Sequence, residues 1–241
     1  MLTGRPPSDR AGGSAGGSGS GSGRPGSAAR GRREGDRVRQ PTEIRRQLIV
    51  EAARVLIAER GLFAATMRDI AHGAGVSLGT VSYHFTGIAE LLSEVLHAEM
   101  DDFYRPISAR AALEPDGAAA LRTIIDGFFA DGERTVEHWR LWLDFWTLSA
   151  HDKLYADWQV QVYVQWRADV VEVLQRGRSA GTLRFDDIDV AAMEFMAVFD
   201  GWAAQAFLPG GPIGPGRARV LLHDYVARRL APGPSGTPRQ P

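Results

Sequence analysis

The chain has no cysteine among its 241 residues. That excludes disulfide staples, thiolate-ligated zinc, iron–sulfur clusters and a thiol nucleophile. No stretch approaches the roughly 20 consecutive apolar residues of a membrane span, and no apolar signal-peptide core stands near the start, which together point to a cytoplasmic protein. Sustained apolar/polar alternation bounded by hairpin turns is also missing. Every apolar run is helix-length, so the pattern predicts an all-α chain. Positive charge has no overall excess: 28 Lys and Arg against 29 Asp and Glu give −1, which by itself speaks against a nucleic-acid partner. That average hides an asymmetry, with 13 basic and 9 acidic residues up to position 97 and 15 basic and 20 acidic beyond it.

The basic excess is concentrated early. Residues 1–46 carry ten Arg against four acids, whereas residues 47–97 carry three Arg against five acids. From Ala11 to Gly31 the chain is nine Gly and five Ser in 21 residues, with too little to bury to offset the cost of ordering it. Residues 1–41 are therefore expected to be a disordered leader. Its cluster Arg30, Arg32, Arg33, Arg37 and Arg39 is either a solubilising tail or a basic arm that follows DNA. A helix is expected from Thr42, with Ile44, Leu48, Ala52, Val55 and Leu56 recurring at helical spacing up to Gly61. Further helices are expected near 67–74, 78–84, 88–110, 117–133, 136–150, 153–180, 187–208 and 216–230, about nine in all. The run from Pro209 to Gly216 cannot be helical and separates the last two. The expected division is a DNA-binding domain at 42–88, a sensing and dimerisation domain at 89–231 and a disordered tail at 232–241.

Residues 66–85 read TMRDIAHGAGVSLGTVSYHF, and each position fits a helix-turn-helix. Thr66 caps the first helix and Asp69 lies in its first turn, where the helix dipole favours an acid. Ile70 and Ala71 face inward, and Gly75 permits the tight turn. Val76 fills the space between the helices, and Ser77 caps the second helix. Val81 and Phe85, four residues apart, anchor that helix to the core. Leu78, Gly79, Thr80, Tyr83 and His84 are left pointing outward, as a helix lying in a major groove requires. Together with Thr66, Ser77, Arg45 and Arg46 they form the expected DNA contact set. A plain αα-hairpin with an idle surface is the alternative. His84 has no second His, Asp or Glu four positions away with which to hold a metal.

These residues resemble the TetR family of transcriptional regulators over residues 42–97. The family pattern is a first helix ending in glycine, a Thr-x-x-x-Ile-Ala element, an Ala-Gly-Val-Ser turn and a recognition helix closing on an aromatic cluster. Here these are Gly61, Thr66 with Ile70-Ala71, Ala74 to Ser77, and Tyr83-His84-Phe85. The resemblance implies a lysine three residues after the Phe, touching phosphate, but this chain has Ile88 there and no basic residue between Arg68 and Arg105. Electrostatic grip on DNA is therefore expected to come largely from residues 24–46.

Beyond residue 110 the chain resembles the BetI-type branch, the choline-responsive repressors. The resemblance rests on Trp142-Leu143-Asp144-Phe145-Trp146, His151 with Leu154-Tyr155, Phe199-Asp200-Gly201-Trp202, and Ser82. Five of the six tryptophans fall between Trp139 and Trp166. Helix 136–150 is apolar on two faces, and helix 153–180 carries Tyr155, Trp158, Val162, Trp166 and Val170 as a stripe. Such stripes either form plain core or leave a cavity with aromatic walls, where a quaternary ammonium gains from cation–π attraction. The candidate ligand residues are Trp142, Trp146, Tyr155, Trp158, Trp166, Phe199 and Asp200. Asp144 either faces a cationic ligand or pairs with Arg140, four residues earlier on the same helix, while Asp200 has no basic neighbour at helical spacing.

Helix 187–208 is apolar nearly all round and needs cover on two sides, which with helix 216–230 suggests a homodimer presenting two recognition helices to a palindromic operator. The expected function is a ligand-responsive repressor released from DNA by a small molecule. The effector is either choline-like or another amine, or a hydrophobic metabolite. The competing readings are a dimeric small-molecule-binding protein with weak or lost DNA binding, and an enzyme. No Ser-His-Asp set, metal-ligand spacing or phosphate-cradling loop supports the enzyme, so no cofactor is expected.

Overall fold

A computed structural model describes residues 42–232. The expected leader with its arginine cluster and the expected tail from 233 onward lie outside the described residues. Those described form helices and turns with no strand. The order is α1 (Thr42–Arg60), a 3₁₀ turn (Leu62–Ala64), α2 (Met67–Gly73), α3 (Leu78–His84), α4 (Ile88–Glu99), a π-helical turn (Met100–Tyr104) and α5 (Arg105–Ala112). It continues through α6 (Gly117–Phe128), α7 (Glu133–Ser149), α8 (Lys153–Ser179), α9 (Ile188–Ala206), α10 (Pro215–Tyr225) and a second π-helical turn (Val226–Leu230). The helix expected at 88–110 is thus one continuous rod of α4, π turn and α5. The helix expected at 117–133 stops at Phe128, and Gly132, with φ of 145°, starts the chain into α7.

The inward face of α1 differs from the expected one. Ile49, Val50, Ala53 and Ile57 are buried, while Ile44 and Leu48 are 43% and 42% exposed. Leu48-Ile49-Val50 and Leu56-Ile57-Ala58 allow two apolar stripes about 100° apart, and periodicity cannot choose between them. Packing against α2, α4 and α7 decides.

α1 to α4 close a small core on Ile70, Ala71, Val81, Phe85 and Leu91. Farther along the chain, α6 packs on α5, α8 and α10, while α8 packs on α7 and α9. α9 buries Ala191, Ala192, Phe195, Phe199 and Ala203 and leaves Val190 and Met193 exposed on its other side. No described helix is long and apolar enough to cross a membrane.

Candidate functional site

The helix-turn-helix is assembled from short-range contacts. The Thr66 hydroxyl accepts the backbone N–H of Asp69 at 3.2 Å, and the Ser77 hydroxyl accepts that of Thr80 at 3.1 Å, so each helix starts on a filled cap. Gly75 turns the chain with φ of 65°, a left-handed conformation that favours glycine. Val81 and Phe85 are fully buried and hold α3 down. Of the expected contact residues, Thr66, Ser77, Leu78, Gly79 and Tyr83 are exposed, with Tyr83 at 77%, and Thr80 and His84 are half-buried. Ile88 is exposed at the start of α4.

Arg46 does not belong with the outward-facing cations. Its guanidinium donates to Glu94 at 2.7 Å and lies 5.0 Å above the Phe85 ring, so it braces α1 against α4. Arg45 is half-buried. Arg54, deeper in α1, is held between Glu51 and Glu137, both at 2.7 Å.

That last pair begins a seam between α1 and α7. At its far end Asp144 of α7 accepts the backbone N–H of Leu62 at 2.7 Å. Gly61, with φ of 83°, brings the backbone close enough that a Cβ there would stand 3.4 Å from the Asp144 carboxylate. Asp144 therefore neither faces a ligand nor pairs with Arg140. It receives the first N–H of the 3₁₀ turn that follows α1, a donor with no partner inside that turn.

The opposite face of α7 walls a cavity of about 60 Å³ between α6, α7, α8, α9 and the π turn after α4. Since one buried water occupies about 10–15 Å³ on this measure, the cavity takes a compact molecule and no extended one. Trp142, Trp146, Trp166, Phe199 and Asp200 of the expected ligand set line it. Tyr155 and Trp158 do not. Trp158 stacks on Trp142 at 5.9 Å between centroids, and Tyr155 packs edge-on to Phe145, so both support the wall from behind. Trp139 and Val162, which stood on the expected aromatic stripes but outside the candidate ligand set, also line it, and the side chains that sequence reading passed over are Met100, Tyr104, Phe128, His138, Gln159 and Tyr163. Gln159 and Tyr163, four residues apart on α8, carried a signal: polar groups at helical spacing on an otherwise apolar face.

No Lys or Arg lines the cavity. Its one carboxylate, Asp200, accepts the Tyr163 hydroxyl at 3.1 Å. Burial nevertheless pushes the Asp200 pKa up to about 6, with the Tyr163 bond opposing the shift only in part. The other tyrosine in the wall, Tyr104, donates to Asp169, and Trp139 donates its indole N–H to the Phe128 carbonyl at 2.8 Å.

A second buried polar group lies at the α4–α7 contact. Burial pushes His138 down toward its neutral form, and because Glu99 is held as a carboxylate, which only accepts, the His138 Nδ1 donates to it at 2.8 Å. Burial alone would raise the Glu99 pKa, but the His138 hydrogen bond and the charge of Arg134, 2.9 Å away, hold it low. His138 stacks on Phe103 at 3.8 Å and also lines the cavity. The cavity wall is thereby tied to the end of α4.

Comparison with known proteins agrees with this layout. Residues 49–95 match the pattern described as bacterial regulatory proteins, tetR family, and residues 117–231 match that of the BetI-type transcriptional repressor C-terminal domain. An HTH-type transcriptional regulator BetI 2 from Chromohalobacter salexigens is 33% identical over 190 residues, covering 78% of this chain and 89% of that protein. A BetI regulator from Burkholderia ambifaria is 29% identical over 194 residues, covering 78% of this chain and 95% of that protein. Among solved structures, a transcriptional regulator from Saccharomonospora viridis in complex with choline has a TM-score of 0.75 at 24% identity, covering 79% of this chain and all of that one. A TetR transcription regulator from Haloarcula marismortui has a TM-score of 0.70 at 19% identity, covering 78% and 99%.

Proposed function

The chain belongs to the TetR family of regulators and carries a BetI-type C-terminal domain, so it is a DNA-binding transcriptional regulator and not an enzyme, and on that premise we propose that its effector is a small organic cation. The observation that carries this reading is the cavity: aromatic faces around one buried carboxylate, with no competing cation among the lining residues. Each well-placed ring contributes about 0.5–2 kcal/mol toward a cation. An anion would meet the charge of Asp200. A choline complex in a structural neighbour of the same fold supports the same chemistry.

In this reading the protein acts in the cytoplasm as a homodimer on a palindromic operator. Residues 42–88 bind DNA, and residues 89–231 sense and dimerise. Dimerisation uses the exposed sides of α9 and α10, where Val190, Met193 and Val220 are open. Leu78, Gly79, Thr80, Tyr83 and His84 face the major groove, with Thr66, Ser77 and Arg45 beside them. The cation shifts the population from the operator-binding arrangement toward one that releases DNA, through α7, which walls the cavity on one face and holds α1 by Glu137 and Asp144 on the other.

A fluorescence-anisotropy titration against duplex DNA from the region upstream of the protein's own gene tests this. Binding should be salt-sensitive and reversed by a quaternary amine. Tight operator binding untouched by any organic cation would remove the effector assignment, and no operator binding would favour a small-molecule-binding protein without DNA function.

A further inference from the structure

We propose that Arg46 is a positioning residue for operator recognition: together with Glu94 it fixes the C-terminal end of α3, and so sets how α3 meets the base edges without itself touching DNA. The inference rests on the reading of α3 as the recognition helix and deepens it. Among the described helices α3 packs mainly on α2. Its first turn is set from that side by Gly75 and the Ser77 cap. Its other end depends on Phe85, which terminates the helix and is 1% exposed. The Arg46 guanidinium of α1 covers that ring at 5.0 Å and donates to Glu94 of α4 at 2.7 Å, so α1 and α4 grip the end of α3 through one side chain.

The Arg46 and Glu94 side chains remain 30% and 33% exposed, and an ion pair this open contributes little by itself. What the arrangement supplies is direction. A planar guanidinium stacks on a ring with its face while donating from its edge, and an ammonium has no such fork. Tilting α3 about its capped start would break the stack on Phe85 or the bond to Glu94, and would displace Thr80, Tyr83 and His84 from the bases they face. The surroundings also disfavour a direct phosphate contact. Glu43 and Glu90 add their charge near Arg46, so a phosphate there would compete with three carboxylates.

The test measures full-length protein by fluorescence anisotropy against duplex DNA from the region upstream of its own gene and against a scrambled duplex of equal length, each over a series of salt concentrations. Arg46→Met should weaken operator binding about ten-fold, with scrambled-duplex affinity and the salt slope unchanged. Arg46→Lys, which keeps the charge but not the fork, should lose nearly as much. Glu94→Met should also weaken operator binding, and the double variant should be no worse than Arg46→Met alone. A phosphate contact predicts the opposite pattern: Arg46→Met lowers both affinities and flattens the salt slope by about 0.9, Arg46→Lys largely rescues it, and Glu94→Met binds more tightly. That pattern, or an operator-to-scrambled ratio unmoved by Arg46→Met, overturns the positioning role and leaves the reading of α3 standing. Circular dichroism confirms folding at the assay temperature, and a merely stabilising role would lower the melting temperature without moving that ratio. Wild-type protein with no preference for the operator duplex overturns both.

Discussion

In the helix-turn-helix the shaping contacts join near neighbours in the chain: Thr66 with Asp69 and Ser77 with Thr80, each three residues apart. In the cavity they join residues that are neighbours only in space, such as Tyr163 with Asp200, 37 positions apart, and Glu99 with His138, 39 apart. The first region is a local geometry held by caps, a left-handed glycine and two anchors. The second exists only after several helices have packed. Damage to the two should differ in kind, with caps lost in small steps and the cavity wall in large ones.

The largest expected effect is on that wall. Phe199 is buried and meets Phe128, Phe129, Trp139, Trp166 and Phe195 within 6.1 Å between ring centroids. Phe199→Ala should cost about 3–5 kcal/mol in a urea titration, and a loss no larger than that of a single cap would break the comparison. Next is the seam between the regions. Asp144→Ala leaves the Leu62 N–H without its partner, at a cost of about 1–3 kcal/mol. Cation affinity should be unchanged in this variant while cation-driven release from the operator weakens, as read by anisotropy.

Asp200 sharpens the comparison through pH. A cation favours the ionised carboxylate, while the free cavity holds the proton up to pH of about 6. Affinity for a quaternary amine should therefore be flat above neutrality and fall as pH drops below 6, approaching about ten-fold per unit. Because burial raises this pKa above its unfolded value of 3.8, the Asp200 contribution to stability is fully present below that value and is lost as pH rises through about 6. The ligand-free melting temperature should show that loss, and Asp200→Asn should flatten both profiles. The smallest effect belongs to the local region: Ser77→Ala removes one cap for about 1 kcal/mol, with operator binding weakened and cation binding untouched.

The two regions also differed in how far they could be read in advance. Thr66, Asp69, Gly75, Ser77, Val81 and Phe85 were legible because a helix cap or a four-residue anchor is written within one turn of chain. Arg46 was not, since its partner Glu94 lies 48 positions away, and an arginine ahead of a helix-turn-helix reads equally as a phosphate contact or a brace. Asp144 misled for the same reason. Its visible neighbour was Arg140, and its actual partner is a backbone N–H 82 positions earlier. Aromatic spacing on α7 and α8 pointed to a shared surface, but tertiary packing put Trp142 and Trp166 inside the cavity and Tyr155 and Trp158 behind it.

By itself, then, the sequence determined the absence of thiol chemistry, the helical class and the turn that shapes the recognition helix. Each of those follows from composition or from residues within one or two turns of each other. Only the tertiary structure decided which face of α1 turns inward, which side chains line the cavity, and that α7 joins the cavity wall to α1 and the turn after it. A hydrogen bond or a buried charge depends on where distant segments meet, and helical periodicity carries no information about that meeting.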